Sequence, residues 1–369
     1  MFVDEKTINE ARRARYVERI ERAIERIGVI DGCDAMDLAR DLVGSFDFAL
    51  RHHLAEWSRV ELRPQTGLGT PAWVRVRGRV AEKSTVQMPH PDEEPFDVLV
   101  SCWYRFLISG MPATPIRGRR GEHEVLTATD DEGFFDMTLS AQPELGAFQG
   151  YLVELEVGEG ATVRAEKVVC DVQVPSDEAS VGVLVDLDGV LFEHPPSRFT
   201  QVLAEIVLGP GPRRIAGLPG LAALTGRLAQ GNGVLNPMFF LSNAPRHLYS
   251  HVELAVEYAG MPRAYIQLRD FDLRLRELTS ENAEVIEMLL AHEIIDHYES
   301  LPFLFVGTTR RAARYASAVK AMGHRVQAVY LLGDPDDPHD ELDELDVRVT
   351  AGDGTRLLED AAEHGWTHG

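Results

Sequence analysis

Four apolar runs punctuate the second half of the chain: Val181–Val185, Met238–Leu241, Phe303–Val306 and Val326–Leu332. Each is short and free of charge, and stretches of helical periodicity separate them. Uninterrupted apolar runs of this length suit strands buried on both faces. Strands that alternate with helices imply a parallel sheet with helices on either side. This expectation also fixes where chemistry can sit, because ligands of open parallel sheets bind beyond the carboxyl ends of the strands. The informative residues are those that follow the runs.

The first half has a different character. Residues 5 to 57 read as helical, with Tyr16, Ile20, Ala23 and Ile27 on one stripe and Leu42, Phe46, Leu50, Leu54 and Trp57 on another. From Val60 to about Pro175 the period changes to two. Trp73 to Val80 alternates apolar residues with Arg75, Arg77 and Arg79, as a strand with one solvated side does. Asp130-Asp-Glu-Gly-Phe-Phe-Asp136 places turn residues ahead of another strand. Strands are also expected over Tyr151 to Val157 and Val163 to Val174. Between them lie an acidic loop, Gln87 to Pro95, and a helix, Phe96 to Ser109. The polar stretch Ser176 to Ala179 reads as a linker. The expected division is a helical segment over 1–58, a β-sandwich over 59–175 and a doubly wound α/β domain over 176–369.

Charge narrows the function. The 369 residues carry 37 basic and 59 acidic side chains, a formal net charge of −22. That balance argues against a nucleic-acid partner and against long-range attraction to anionic membranes. No run approaches the ~20 apolar residues of a spanning helix. Three widely spaced cysteines, Cys33, Cys102 and Cys170, make neither a disulfide framework nor a metal pair, so a reducing, cytoplasmic setting is expected.

The first apolar run ends Val185-Asp186-Leu187-Asp188-Gly189-Val190, and the second ends Leu241-Ser242-Asn243-Ala244-Pro245. Two carboxylates two residues apart beyond a buried strand can divide the labour of phosphoryl transfer. Asp186 can attack phosphorus and Asp188 can protonate the leaving oxygen. Ser242 and the backbone N–H groups around Asn243 can hold the transferred group.

These motifs resemble the haloacid-dehalogenase superfamily and, more closely, the actin-patch phosphatidate phosphatase catalytic-domain family. The likeness rests on Gly67 to Val80, Asp130 to Asp136, Leu184 to Val190, Phe240 to Tyr249, Gly260-Met-Pro262, Leu268-Arg-Asp270 and Phe303 to Gly307, in that order. It implies a haloacid-dehalogenase-like sheet behind a β-sandwich. It implies Mg²⁺-dependent hydrolysis of a phosphomonoester, with phosphatidate as the type substrate and Asp186 and Asp188 at the metal. A phosphorylated small molecule or lipid is then the expected ligand, reached by peripheral membrane contact if it is a lipid.

The chain departs from the family pattern in several places. Gly189-Val190 replaces Asp-Thr, and Arg246 replaces a tryptophan. The lysine expected in the helix near Ser280 is missing, and no lysine occurs between Lys167 and Lys320. An acidic residue is expected after the third run, where this chain has Gly307-Thr308-Thr309-Arg310-Arg311. Arg310 and Arg311 are therefore candidates for phosphate binding in place of the lysine, and Asp334 is a second candidate for the missing acid. The alternative reading is a degenerate phosphatase that binds a phosphorylated ligand or a protein without turnover. His292 and His297, five residues apart, leave a common helical face and do not suit zinc. His247 lies near the site.

Overall fold

In the computed structural model, the described residues are 60–70, 72–82, 110–130, 132–140, 147–155, 167–175, 179–191, 236–269, 294–298, 300–309, 325–333, 340–352 and 355–364, with 312, 316, 319 and 320. All fall in one compact unit, 58–271 and 279–369. The helical segment expected over 1–58, the loop Gln87 to Pro95, the helix Phe96 to Ser109 and the helix near Ser280 lie outside the described residues.

The chain is mixed α/β. Its first sheet has seven strands: β1 (Val60–Gly69), β2 (Trp73–Glu82), β3 (Pro115–Arg120), β4 (His123–Ala128), β5 (Phe134–Ser140), β6 (Ala147–Leu155) and β7 (Lys167–Val174). Their order is β4-β3-β6-β7-β1-β2-β5. Neighbours run antiparallel except β1 and β7, which pair parallel at Gly67↔Val172 and Leu68↔Gln173. Where the sequence leads one to expect a sandwich, the strands form one continuous sheet whose two edges, β4 and β5, approach each other. A single core explains the curl. Ile116 of β3, Val74, Val76 and Val80 of β2, Phe135, Met137 and Leu139 of β5, and Cys170, Val172 and Val174 of β7 pack together. Alternation marks which residues face inward; it does not say whether they belong to one bent sheet or two stacked ones.

The second sheet is parallel and has six strands: β8 (Gly182–Asp186), β9 (Met238–Pro245), β10 (Tyr265–Arg269), β11 (Phe303–Thr308), β12 (Val326–Leu332) and β13 (Arg348–Gly352). Their order is β10-β9-β8-β11-β12-β13. Four of them are the four apolar runs. Successive side chains enter opposite cores. Val183, Val185, Phe240, Leu304 and Val306 lie on one face, and Leu184, Phe239, Leu241, Phe303 and Phe305 on the other. This two-sided burial is why the runs carry no polar alternation. Helix α1 (Leu187–Val190) follows β8, α2 (Tyr249–Tyr258) follows β9, α3 (Asp340–Asp343) precedes β13 and α4 (Thr355–Glu363) closes the described chain. Ala312, Ala316 and Val319, spaced at helical intervals after β11, are buried in the second core. No helix among the described residues is long and apolar enough to cross a membrane.

The two sheets meet at a polar seam along β10, the edge strand of the parallel sheet. An open edge presents unpaired N–H and C=O groups, and side chains of the first sheet satisfy them. Gln173 Oε1 accepts the N–H of Tyr265 at 3.1 Å, and Arg77 Nη2 donates to the carbonyl of Ile266. Arg77 also donates through Nη1 to Gln267 Oε1 at 2.9 Å and through Nε to Thr66 O at 3.2 Å. Its guanidinium lies 4.1 Å from the Tyr265 ring centroid. Tyr249 Oη accepts the Thr66 N–H at 2.9 Å. The Arg75, Arg77 and Arg79 row is therefore not one solvated side. Arg75 pairs with Asp136 near solvent, whereas Arg77 and Arg79 are buried.

Candidate active site

β8 occupies the point where the strand order reverses. The chain moves from β8 to β9 and β10 on one side, then returns to β11, β12 and β13 on the other. Such a reversal opens a crevice at the carboxyl ends of the strands. β8 ends at Asp186. In β9 Leu241 pairs with Asp186, so Ser242 stands one residue beyond it on the neighbouring strand. In β11 Val306 pairs with Val185, which brings Gly307, Thr308 and Thr309 to the other flank.

Hydrogen bonds join the three central residues. Asp186 is the N-cap of α1, and its Oδ1 accepts the Asp188 N–H at 3.0 Å. That local bond turns the chain directly after the strand and brings the second carboxylate back over the first turn. Asp188 Oδ1 is in a short hydrogen bond with Ser242 Oγ, which also accepts the Ala244 N–H at 3.1 Å. Asp186, Asp188 and Ser242 are 2%, 2% and 1% exposed. The Asp188–Ser242 contact serves either protonation state. The hydroxyl donates to a carboxylate and accepts from a carboxylic acid. This arrangement suits a group that must change protonation during a reaction.

The structure thus brings together Asp186, Asp188 and Ser242, with Ser242 bonded to Asp188. Asn243 lies in β9 beside them, its side chain outside what is described. Arg310, Arg311 and Asp334 lie outside the described residues. Among the described residues, no group of three or more His, Cys, Asp or Glu side chains gathers to hold a metal.

A second cluster borders the same end of the sheet. After β9 the chain enters a 3-10 turn, Arg246–Leu248. The Arg246 guanidinium lies 4.2 Å from the centroid of Phe134, and that of Arg79 lies 5.1 Å from it. His247 meets Phe134 edge-on at 5.1 Å and comes within 3.8 Å of Glu132. The turn before β5 is built for this contact. Asp130 Oδ1 accepts the N–H groups of Glu132 at 3.0 Å and Phe134 at 2.8 Å, and Gly133 takes a φ of +82°. The Asp130 to Asp136 motif was legible as a turn, but nothing local tells that its partner is 112 residues away.

The chain is thus an α/β protein with paired, buried carboxylates and a serine at the carboxyl ends of its parallel strands. Residues 181–332, from the threshold of β8 to the end of β12, match the family model described as phosphatidate phosphatase APP1, catalytic domain. This is the family that the motifs resemble. No curated protein matches the chain. Among solved structures, a carbohydrate acetylesterase from Xanthomonas citri is 12% identical, with 83% of this chain and 75% of that chain covered, at a TM-score of 0.28. A protein of unknown function from Porphyromonas gingivalis is 9% identical over 35% of this chain and 60% of its own, at 0.17. β-Glucuronidase 2 from Bacteroides uniformis is 8% identical over 84% and 39%, at 0.25. At such TM-scores they carry no inference about fold or activity.

Proposed function

We propose that the parallel sheet is a haloacid-dehalogenase-like domain that hydrolyses a phosphomonoester, a phosphatidate-type lipid phosphate in the first instance, met by peripheral contact with a membrane. The hydrogen-bonded, buried set of Asp186, Asp188 and Ser242 at the reversal of strand order carries this reading. An Asp186 carboxylate oxygen attacks phosphorus. The bond to the ester oxygen breaks as Asp188 delivers a proton to that oxygen. Asp188, now a carboxylate, takes a proton from water as the water oxygen attacks the aspartyl phosphate. The Asp186–phosphorus bond breaks and inorganic phosphate leaves.

Mg²⁺ accepts one or two carboxylates together with water and phosphate oxygens. Asp186 and Asp188 are the residues that would hold it, Asp186 as the standing carboxylate and Asp188 only in its carboxylate form, not while it carries the proton for the leaving oxygen. A bound ion supplies neutralisation of charge on the phosphoryl oxygens. In the decisive experiment, the full chain releases phosphate from phosphatidate in mixed micelles, or from an aryl phosphate, with Mg²⁺. Asp186→Asn abolishes the release. Release by the native chain no greater than that of Asp186→Asn refutes the reading.

One observation favours a second reading, a degenerate phosphatase that binds a phosphorylated ligand or a protein without turnover. β11, the strand beside Asp186, ends at Thr308, and the chain continues Thr309-Arg310-Arg311 with no carboxylate there. Under this reading phosphate binds, Mg²⁺ binds weakly and no Asp186-dependent release occurs.

A further inference from the structure

We infer that Ser242 is a positioning residue for Asp188: its hydroxyl aims that carboxyl group for proton transfer to the leaving oxygen, and its effect on the reaction runs through Asp188 rather than through a grip on the phosphate. The inference rests on the phosphomonoester reading for the reaction. Position at a strand end alone would give Ser242 a hold on the transferred group; its hydrogen bonds give it a different part.

Hydrogen-bond valence carries the argument. A serine hydroxyl has one proton to give and two lone pairs. Ser242 Oγ is bonded to Asp188 Oδ1 and accepts the Ala244 N–H at 3.1 Å. An ionised Asp188 takes the single Ser242 proton, and a phosphate oxygen, which needs a donor, receives none. When Asp188 carries the proton, it donates through the same contact, so the carboxyl group keeps its place in both states. Ser242 is as deeply buried as the group it holds, at 1% exposed.

The backbone shows how the two side chains come to meet. β9 and β10 pair in steady register from Phe239 to Ser242, which lies opposite Leu268. The next pair is Pro245 with Arg269, so Asn243 and Ala244 are extra residues in β9. Extra residues in one strand bend it and re-aim its side chains. Here the Ala244 N–H turns back to Ser242 Oγ. On the adjacent strand Asp186 Oδ1 holds the Asp188 N–H, and Leu241 is in register with Asp186. Two local turns, one at the end of each strand, thus set Oγ against Oδ1. A side chain fixed from two directions keeps the carboxyl group in one orientation, and a misplacement of about 1 Å at a reacting group can cost about 100-fold in rate.

The test compares two phosphomonoesters, one alkyl and one 4-nitrophenyl, with the full chain and Mg²⁺. Here kcat/KM covers the steps up to the aspartyl phosphate. A nitrophenolate ion leaves without an acid, whereas an alkoxide needs the proton from Asp188. Ser242→Ala should lower kcat/KM for the alkyl ester by about 10- to 100-fold, and for the nitrophenyl ester by less than about threefold. The ratio of the two is blind to any loss of folded chain. Ser242→Thr, which keeps a hydroxyl, should recover most of the alkyl activity. Calorimetric titration of inorganic phosphate should give Ser242→Ala an affinity within about twofold of the native chain. Equal falls for the two esters overturn the inference and leave hydrolysis in place. So does phosphate binding weakened about tenfold or more in Ser242→Ala, the scale of a lost direct contact. A native chain with no Asp186-dependent release removes both claims.

Discussion

Arg75 and Arg77 sit two residues apart on one face of one strand, yet replacing each with alanine should have very different consequences. Arg77 is 7% exposed and donates to Thr66 O, Ile266 O and Gln267 Oε1. Alanine leaves the first two carbonyls without this donor in a buried seam, at about 1–3 kcal/mol each. Gln267 Oε1 keeps its bond from Tyr265 Oη at 2.5 Å, so it adds little. Loss of the stacked stem over Tyr265 adds to the cost, and release of a desolvated cation offsets part of it. The net loss should be about 3 kcal/mol. Arg75 makes a good bidentate pair with Asp136, at 2.8 and 2.9 Å through Nε, but the two side chains are 27% and 34% exposed. Such pairs are worth about 0–1 kcal/mol.

Urea unfolding, followed by far-ultraviolet circular dichroism, separates the two. With a slope near 3 kcal/mol per molar urea, Arg77→Ala should lower the midpoint by about 1 M and Arg75→Ala by less than about 0.3 M. Raising the salt should shrink the Arg75 effect and leave the Arg77 effect. Equal midpoint shifts refute the seam. So does a transition that splits in two with only one half sensitive to Arg77, since the two sheets would then unfold without reference to each other.

Three further outcomes follow from buried groups elsewhere. Asp360, fully buried in α4, receives Tyr330 Oη at 2.9 Å and pairs with Arg348 at 2.8 Å and Arg356 at 3.0 Å. Asp360→Ala should cost about 2 kcal/mol in urea unfolding, because Tyr330 loses its partner while the two half-exposed arginines rehydrate; Asp360→Asn, which keeps an acceptor, should cost less. Burial pushes Tyr249 and Cys170 up to about 12 and raises Tyr298 and Tyr330 as well. The folded chain therefore keeps protons that the unfolded chain releases, so stability is full below about pH 9 and falls as pH rises toward 12, by about 1.4 kcal/mol per pH unit for each group titrating; flat urea midpoints between pH 9 and 11 contradict this. Gly133→Ala places a methyl group 2.6 Å from Met111 N and 2.7 Å from Gly110 Cα, closer still to Val80 O, at a positive φ. It should cost about 3 kcal/mol or more by the same urea measurement, since backbone cannot move aside.

Much of the parallel sheet was legible because burial on both faces leaves a local mark. The four apolar runs became β8, β9, β11 and β12, and the residues at their ends form the candidate site. β10 and β13 escaped because they are edge strands. Gln267 and Arg269 in β10, and Arg348 and Thr350 in β13, break the apolar run that marks a central strand. The β3–β4 hairpin escaped for a similar reason, with a sequence of arginines and glycine, Arg117-Gly-Arg-Arg-Gly121, at its bend. That Asp186, Asp188 and Ser242 come together could be read from the sequence because each lies near a strand end, where topology does the positioning. Arg79, Phe134 and Arg246 were not assembled because their contacts join residues more than 50 positions apart, and period-two alternation assigns Arg75, Arg77 and Arg79 to one face without saying what covers it.

The cover itself connects fold to site. β10 is the outermost strand on its side, and its free hydrogen-bonding edge must be satisfied or blunted. The first sheet does this with Gln173 of β7 and Arg77 of β2, whose bonds fix both strands against β10. Once Arg77 is placed mid-strand on β10, Arg79 lies two residues further along β2, toward the carboxyl end of the parallel sheet. Phe134 pairs with Arg79 in the neighbouring strand β5, so it arrives there too. The β4–β5 turn then has one place to go, against the residues that leave β9 after the Ser242 motif. Protection of an edge strand and the meeting of the Asp130 turn with the residues that leave β9 are thus two results of one docking geometry. Arg77→Ala should therefore also loosen the packing of Phe134 against the Arg246–Leu248 turn, and faster amide hydrogen exchange in that turn checks it; unchanged exchange there would separate the two contacts.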